Sequence, residues 1–110
     1  MLNEDFFYEQ YALVCKTIVN PVRLKIIEVI GDKKMNVSQI QEKMNISMSN
    51  LSNHLGALHL MGVLGREKKG NFIYYFLNDL DLLAVLEMMK KVVGSIVAKR
   101  DGMIKEQKRI

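Results

Sequence analysis

The stretch SQIQEKMNISMSNLSNHLGALHLMG, residues 38–62, decides the fold. The leucines of its second half recur at the spacing of one helix face: Leu51, Leu55 and Leu58. The first half shows a shorter apolar pattern of the same period, and only two residues separate the two halves. This arrangement predicts a helix-turn-helix, with helices at 38–44 and 47–61 joined by a turn at 45–46.

The surface of the second helix opposite these leucines carries short polar side chains. With an advance of about 100° per residue, Ser49, Asn53 and Gly56 lie about 140–200° from Leu51. Such a surface is slim enough to enter the major groove of DNA, where Ser and Asn can bond base edges or phosphates. Helix capping alone would explain Ser47 but not the whole polar run. We expect the DNA-contacting residues of this helix to be Ser47, Ser49, Asn50, Ser52, Asn53 and His54.

After Gly62 the apolar pattern changes from a helical period to a period of two. Two short runs, 63–68 and 72–77, flank the turn KKGN and predict a β-hairpin. Basic residues beside its tip can bind phosphates next to the helix, although a solvated turn often carries lysines as well. We expect the hairpin residues that contact the DNA backbone to be Arg66, Lys68, Lys69 and Asn71.

The segments before the helix-turn-helix predict two more helices. One covers 4–19, and the next begins at Pro21, which suits a first helical position, and ends at Gly31. The stretch DKKMNV allows a strand of two or three residues, and Ser38 with Gln41 has the spacing of a capping box. The expected fold is mainly α with a small β-hairpin, a winged helix-turn-helix.

The last helix is predicted to start from a cap at Asn78 or Asp79 and to end near residue 98. Its apolar stripe is broader than the core of a small domain needs, which favours a second copy of the chain as its cover. A monomer with a well-buried last helix is the alternative. The domain would span 1–98, followed by a charged, frayed tail at 99–110. We expect the homodimer interface at Phe7, Tyr11, Leu83, Leu86, Met89, Val93 and Ile96.

Composition limits the class of protein. A chain of 110 residues with a formal charge of +4 and a pI near 9.2 is one mildly basic domain, which permits a polyanionic partner. Apolar runs such as 82–86 are too short to span a membrane, and the acidic N-terminus is unlike a secretory signal. The single cysteine, Cys15, excludes an intrachain disulfide and suits the cytoplasm. Its place among apolar residues predicts a small buried side chain.

Catalytic and metal-binding patterns are missing. His54 and His59 are five residues apart, so they diverge by about 140° and cannot share one ion. Asp79 and Asp81 face different ways on a helix, and no glycine-rich phosphate loop or nucleophile motif occurs. We therefore expect neither an enzyme nor a bound cofactor or metal.

Three segments together resemble the arsenical-resistance-repressor (ArsR-type) family of transcription factors: NPVRLKIIEVI at 20–30, VSQIQEKMNISMSNLSNHLGAL at 37–58, and MGVLGREKKGNFIYYFL at 61–77. The resemblance covers about residues 12–98. Its most specific parts are the pattern Ser-x-x-Ser-x-His-Leu, which begins at Ser49, and the predicted hairpin that ends in YYFL at 74–77. The resemblance implies a homodimeric winged-helix repressor, whose first and last helices pair across the dimer and whose ligand is promoter DNA.

The sequence departs from the family where many members sense their signals. The start of the third helix, MNVSQI, has no cysteine, and the last helix has Val92 and Ser95 at the spacing of downstream metal ligands. Members that sense oxidants use two cysteines, and this chain has one. The effector is therefore unknown. Two alternatives stay open: a protein-interaction module that does not bind DNA, and a repressor with an unfamiliar metal or redox site.

Overall fold

A computed structural model describes the backbone of residues 3–108 and the side chains of residues 3–103. In chain order its elements are α1 (Glu4–Ile18), α2 (Pro21–Ile30), β1 (Met35–Asn36), α3 (Val37–Glu42), α4 (Met48–Leu60), β2 (Leu64–Lys69), β3 (Phe72–Leu77) and α5 (Asp81–Lys108). This order confirms the predicted mainly α chain with a hairpin. The chain divides into two compact units at the boundary between Leu80 and Asp81.

The helix starts of the first unit follow from side-chain caps. The Asn20 side chain accepts hydrogen bonds from the backbone N–H groups of Val22 and Arg23, and Pro21 occupies the first turn of α2. Asn36 caps α3 and forms a capping box with Gln39. The predicted capping box of Ser38 and Gln41 is therefore wrong, because α3 begins directly after the strand residue Asn36.

The strands form one antiparallel sheet in the order β1-β3-β2. The predicted hairpin of β2 and β3 is confirmed, with Leu64 opposite Leu77 at its base and Lys69 opposite Phe72 at its tip. Gly70 turns the chain with a φ of 65°, which favours glycine. The short β1 pairs with β3 through Met35 and Tyr75, so the hairpin is attached to the helical part of the unit.

The core of the first unit lies where α2, α3, α4 and the base of the hairpin meet. Its fully buried large side chains are Ile26, Ile27, Ile30, Ile40, Leu51, Leu55, Leu58 and Leu64. The helices of the helix-turn-helix are shorter than predicted, since α3 ends at Glu42 and α4 begins at Met48. Cys15 is exposed, and the prediction that it is buried is wrong, because Ile18 is the buried residue of α1.

The second unit is the helix α5 alone, with 28 residues from Asp81 to Lys108. The predicted end near residue 98 is wrong: α5 crosses that boundary because Lys, Arg, Glu and Gln are good helix formers. Of the tail predicted to be frayed, residues 99–108 are helical, and residues 109–110 lie outside the described residues. The division into a domain at 1–98 and a tail at 99–110 stays a prediction. The predicted cap residue Asn78 instead donates its side-chain amide to the Gly62 carbonyl at 2.9 Å.

Candidate nucleic-acid interface

One face of helix α4 is buried in the core, and much of the rest of its surface is exposed to solvent. Leu51, Leu55 and Leu58 have no solvent-accessible surface and hold one face of α4 in the core. At the helix start, the Ser47 hydroxyl accepts the N–H of Asn50 at 3.2 Å. The side chains predicted to contact DNA are largely exposed on the rest of the helix: Ser47, Ser49, Asn50, Ser52 and Asn53. The arrangement leaves a row of hydroxyl and amide groups that can donate and accept hydrogen bonds.

His54 is half-buried and has a partner that sequence reasoning missed. Its Nδ1 accepts a hydrogen bond from Nε of Arg23 at 3.1 Å, and Nη1 of Arg23 donates to the Thr17 carbonyl at 2.9 Å. Arg23 therefore links α4 to the end of α1. No local pattern could have revealed the pair, because its members are 31 residues apart on different helices.

His59 holds the opposite end of α4. Its Nδ1 lies 3.1 Å from the Leu64 carbonyl oxygen, which can only accept, so the ring donates to the first residue of β2. The two histidines thus have separate protein partners. Within residues 3–103 no group of three or more His, Cys, Asp or Glu side chains could hold a metal ion.

The basic residues of the hairpin lie on two faces. Arg66 pairs directly with Tyr75, so the two side chains share a face of the sheet. Side chains alternate along a strand, so Lys68 lies on the face of Arg66, and Lys69 lies on the opposite face with Glu67. All three basic side chains are exposed. Their separation follows from the alternation of side chains along β2.

Glu67 does not leave a free negative charge beside these residues. Its carboxylate binds the Lys34 ammonium at 3.1 Å, and the same ammonium lies 5.0 Å from the centre of the Phe76 ring. The pair is half-exposed, so its contribution to stability is small. Its effect on the hairpin is to offset the only acidic side chain of β2.

A groove of about 910 Å³ adjoins the start of α4. Its walls are one face of α2 and the turn between α3 and α4, and they include Lys25, Lys43, Ser47 and Asn50. Sequence reasoning missed both lysines as neighbours of α4. The signal was weak, because each lies on an ordinary solvated surface of its own segment.

Comparisons with known proteins agree with this architecture. A family model described as a helix-turn-helix domain matches residues 18–63. The transcriptional repressor SdpR of Bacillus subtilis is 40% identical over 65 residues, which are 59% of this chain and 72% of SdpR. The crystal structure of the transcriptional repressor PagR of Bacillus anthracis is 32% identical with a TM-score of 0.68, covering 78% of this chain and 99% of PagR.

A third similar structure is the homodimeric winged helix-turn-helix DNA-binding domain of Mb0332 from Mycobacterium bovis, a possible ArsR-family transcriptional regulator. It is 22% identical with a TM-score of 0.72, and the alignment covers 83% of this chain and 84% of that domain. At this identity the likeness shows the fold. The hairpin of β2 and β3 is therefore the wing, and α3 and α4 the helix-turn-helix, of a winged helix-turn-helix domain.

Proposed function

The chain belongs to the ArsR-type family of winged helix-turn-helix transcriptional regulators, and we propose that it is a dimeric repressor that reads an imperfect palindrome in promoter DNA. The observation that carries the proposal is the exposed polar face of α4, opposite the buried leucines. Repression is supported by SdpR and PagR, which are both transcriptional repressors and are more than 30% identical to this chain.

In the proposed complex α4 enters the major groove by its N-terminal half. Recognition helices of this motif contact base edges with their first turns. Ser49, Asn50, Ser52 and Asn53 lie in those turns and are exposed. An Asn side chain can bond N6 and N7 of adenine together, and Ser can bond several bases. Asn50 and Asn53 are therefore the residues we assign to base reading.

Phosphate contacts would come from the hairpin and from the groove beside α4. Arg66, Lys68, Lys69 and Asn71 are exposed on the hairpin. Lys25 and Lys43 line the groove next to Ser47 together with one acidic residue, Glu28, so the groove adds net positive charge beside α4. Lysines bind phosphates irrespective of base sequence and release counterions, so these residues would supply affinity and not specificity.

Dimerisation is supported by apolar surface on two helices. On α1, Phe7 is 49% and Tyr11 is 57% exposed. On α5, Met89, Val93 and Ile96 are 46–56% exposed and recur at helical spacing, with the half-buried Leu83 and Leu86 before them. Soluble monomers rarely leave apolar helix faces of this size uncovered. A second copy would cover these faces and set two α4 helices about 34–36 Å apart, one turn of DNA.

This function has simple chemical requirements. Hydrogen bonds and charge contacts bind the DNA, so no cofactor or metal is needed for the step itself. We place the protein in the cytoplasm, where bacterial and archaeal promoter DNA is accessible. In residues 3–108 no helix is both long enough and apolar enough to cross a bilayer.

Selection of DNA from a randomised duplex library by the purified protein tests the proposal. We expect enrichment of an imperfect palindrome, and tighter binding to it than to a scrambled duplex of equal length in gel-shift titrations. Random duplex should also bind at low salt, through phosphate contacts alone. Failure to bind any duplex at micromolar protein and low salt would favour a protein-interaction module instead.

A further inference from the structure

Arg23 connects three helices through one side chain. It belongs to the first turn of α2, its Nη1 donates to the Thr17 carbonyl near the end of α1, and its Nε donates to His54 of α4. Both bonds are partly buried, at 2.9 and 3.1 Å. The orientation of the His54 ring is therefore fixed by a side chain of α2, and not by groups of its own helix α4.

The Arg23 bond also determines which ring nitrogen of His54 carries the proton. A guanidinium group has only donors, so Nδ1 of His54 must accept and the neutral ring must carry its proton on Nε2. His59 has the opposite arrangement, because its Nδ1 donates to the Leu64 carbonyl. Within residues 3–103, Nε2 of His54 has no hydrogen-bond partner. This N–H is a donor available to a ligand.

We propose that Arg23 is a positioning residue for DNA binding: it holds His54 in the Nε2–H form and orientation, so that this N–H donates to a phosphate oxygen of the bound duplex. The inference rests on the proposed function. His54 lies one helical turn after Asn50, which is exposed on the same helix and assigned to DNA, so the two side chains are neighbours on the surface of α4. A phosphate oxygen can only accept, and a ring with its proton on Nδ1 would present a lone pair to it.

Lysine cannot replace Arg23 in this role. The guanidinium offers Nε–H and Nη1–H in a fixed plane, and the two groups reach different helices, whereas a lysine ammonium has one nitrogen. The substitution Arg23→Lys therefore keeps the charge that attracts DNA while removing the orientation of His54. Lys91→Arg, a charge-conserving exchange at an exposed lysine of α5 outside the surface assigned to DNA, is the matched control.

Two readouts test the proposal. Nitrogen-15 NMR of the histidine rings at about pH 8, where free histidine is neutral, reports the protonated ring nitrogen. We expect Nε2–H for His54 and Nδ1–H for His59. Arg23→Lys should convert His54 to a mixture of both forms and leave His59 unchanged. Gel-shift titration with the selected duplex should show about fivefold weaker binding for Arg23→Lys, the size of one net hydrogen bond, and no change for Lys91→Arg.

A double-mutant cycle separates positioning from general destabilisation. In a His54→Ala background, Arg23→Lys should weaken binding by less than about twofold, because the two residues act through one contact. His54→Asn keeps an acceptor for Arg23 but lacks the outer N–H. It should melt like wild type and bind DNA as weakly as His54→Ala.

The outcomes distinguish this inference from the proposed function. Suppose that the wild type selects a duplex. If Arg23→Lys binds this duplex as tightly as the wild type, the positioning role is overturned and the proposed function stands. The same holds if Arg23→Lys weakens binding as much in the His54→Ala background as it does in the wild-type background. An Nδ1–H form of His54 in wild type would also overturn it. If wild type binds no duplex, the proposed function fails and the positioning role fails with it.

Discussion

Gly65 lies directly opposite Phe76 in the pair of β2 and β3, and the Phe76 ring occupies the space that a side chain at residue 65 would need. The side-chain oxygen of Asn78 lies on the same spot. A methyl group here must displace a ring that also packs near the Lys34 ammonium. We expect Gly65→Ala to lower the free energy of unfolding by about 1–3 kcal/mol, the cost of overpacking, measured by urea denaturation.

Gly56 is the matched control for that substitution. No atom lies within 4 Å of the position of an added Cβ, and the residue is in the interior of α4. Gly56→Ala should therefore raise the free energy of unfolding by up to about 1 kcal/mol through helix propensity alone. Equal effects of the two substitutions would contradict the close approach of Phe76 to Gly65.

The Ser47 cap can be separated from any contact of Ser47 with DNA. Ser47→Ala removes the acceptor for the Asn50 N–H and should destabilise the protein by about 1 kcal/mol. Ser47→Asp keeps an acceptor, so its melting temperature should stay near that of wild type. Its negative charge should nevertheless weaken DNA binding. Ser49→Ala, at an exposed position without a cap role, should leave the melting temperature unchanged.

Substitution of Asn53 tests whether α4 contacts the DNA bases. Asn53→Ala should relax specificity at one base position of the selected duplex. Changing that base should then reduce the binding free energy by about 1–3 kcal/mol less for the variant than for wild type. Binding to random duplex should be unaffected. Competition titrations against single-base variants of the duplex measure the effect. A uniform loss over all duplexes would assign Asn53 to the phosphates instead.

Lys69 tests the phosphate contacts of the hairpin. Lys69→Ala should weaken binding to all sequences and reduce the slope of log affinity against log salt by about 1, since one phosphate contact is lost. Lys91→Ala, an exposed lysine of α5 outside the assigned surface, should leave the slope unchanged. If both variants show the same slope as wild type, the hairpin has no part in binding through Lys69.

The parts of the fold that were predictable have short-range causes. The three leucines of α4 repeat at helical spacing within eight residues, and all three are fully buried. The hairpin followed from a change of period together with the glycine at residue 70. Both signals are local, so neither requires knowledge of the rest of the chain.

The parts that were missed depend on distant partners or on competing local signals. Asn36 and Ser38 both suit a helix cap, and pairing of β1 with β3 places Asn36 at the helix start. Nothing local to Arg23 indicates its bond to His54, because the two residues are 31 positions apart. Charge at the C-terminus suggested fraying, although the same residue types favour helix and α5 continues through them.

The apolar face of α5 gives the test of dimerisation. Val93 is 46% exposed, and a carboxylate there would have to be buried unpaired if a second copy covers it. Val93→Glu should therefore shift the protein from dimer to monomer in sedimentation equilibrium at micromolar concentration. It should also weaken binding to the palindromic duplex more than to a half-site, because two linked α4 helices bind more tightly than one. Lys91→Glu introduces the same carboxylate at an exposed polar position of α5 and should leave the dimer intact. A monomeric wild type would contradict dimerisation through this face of α5.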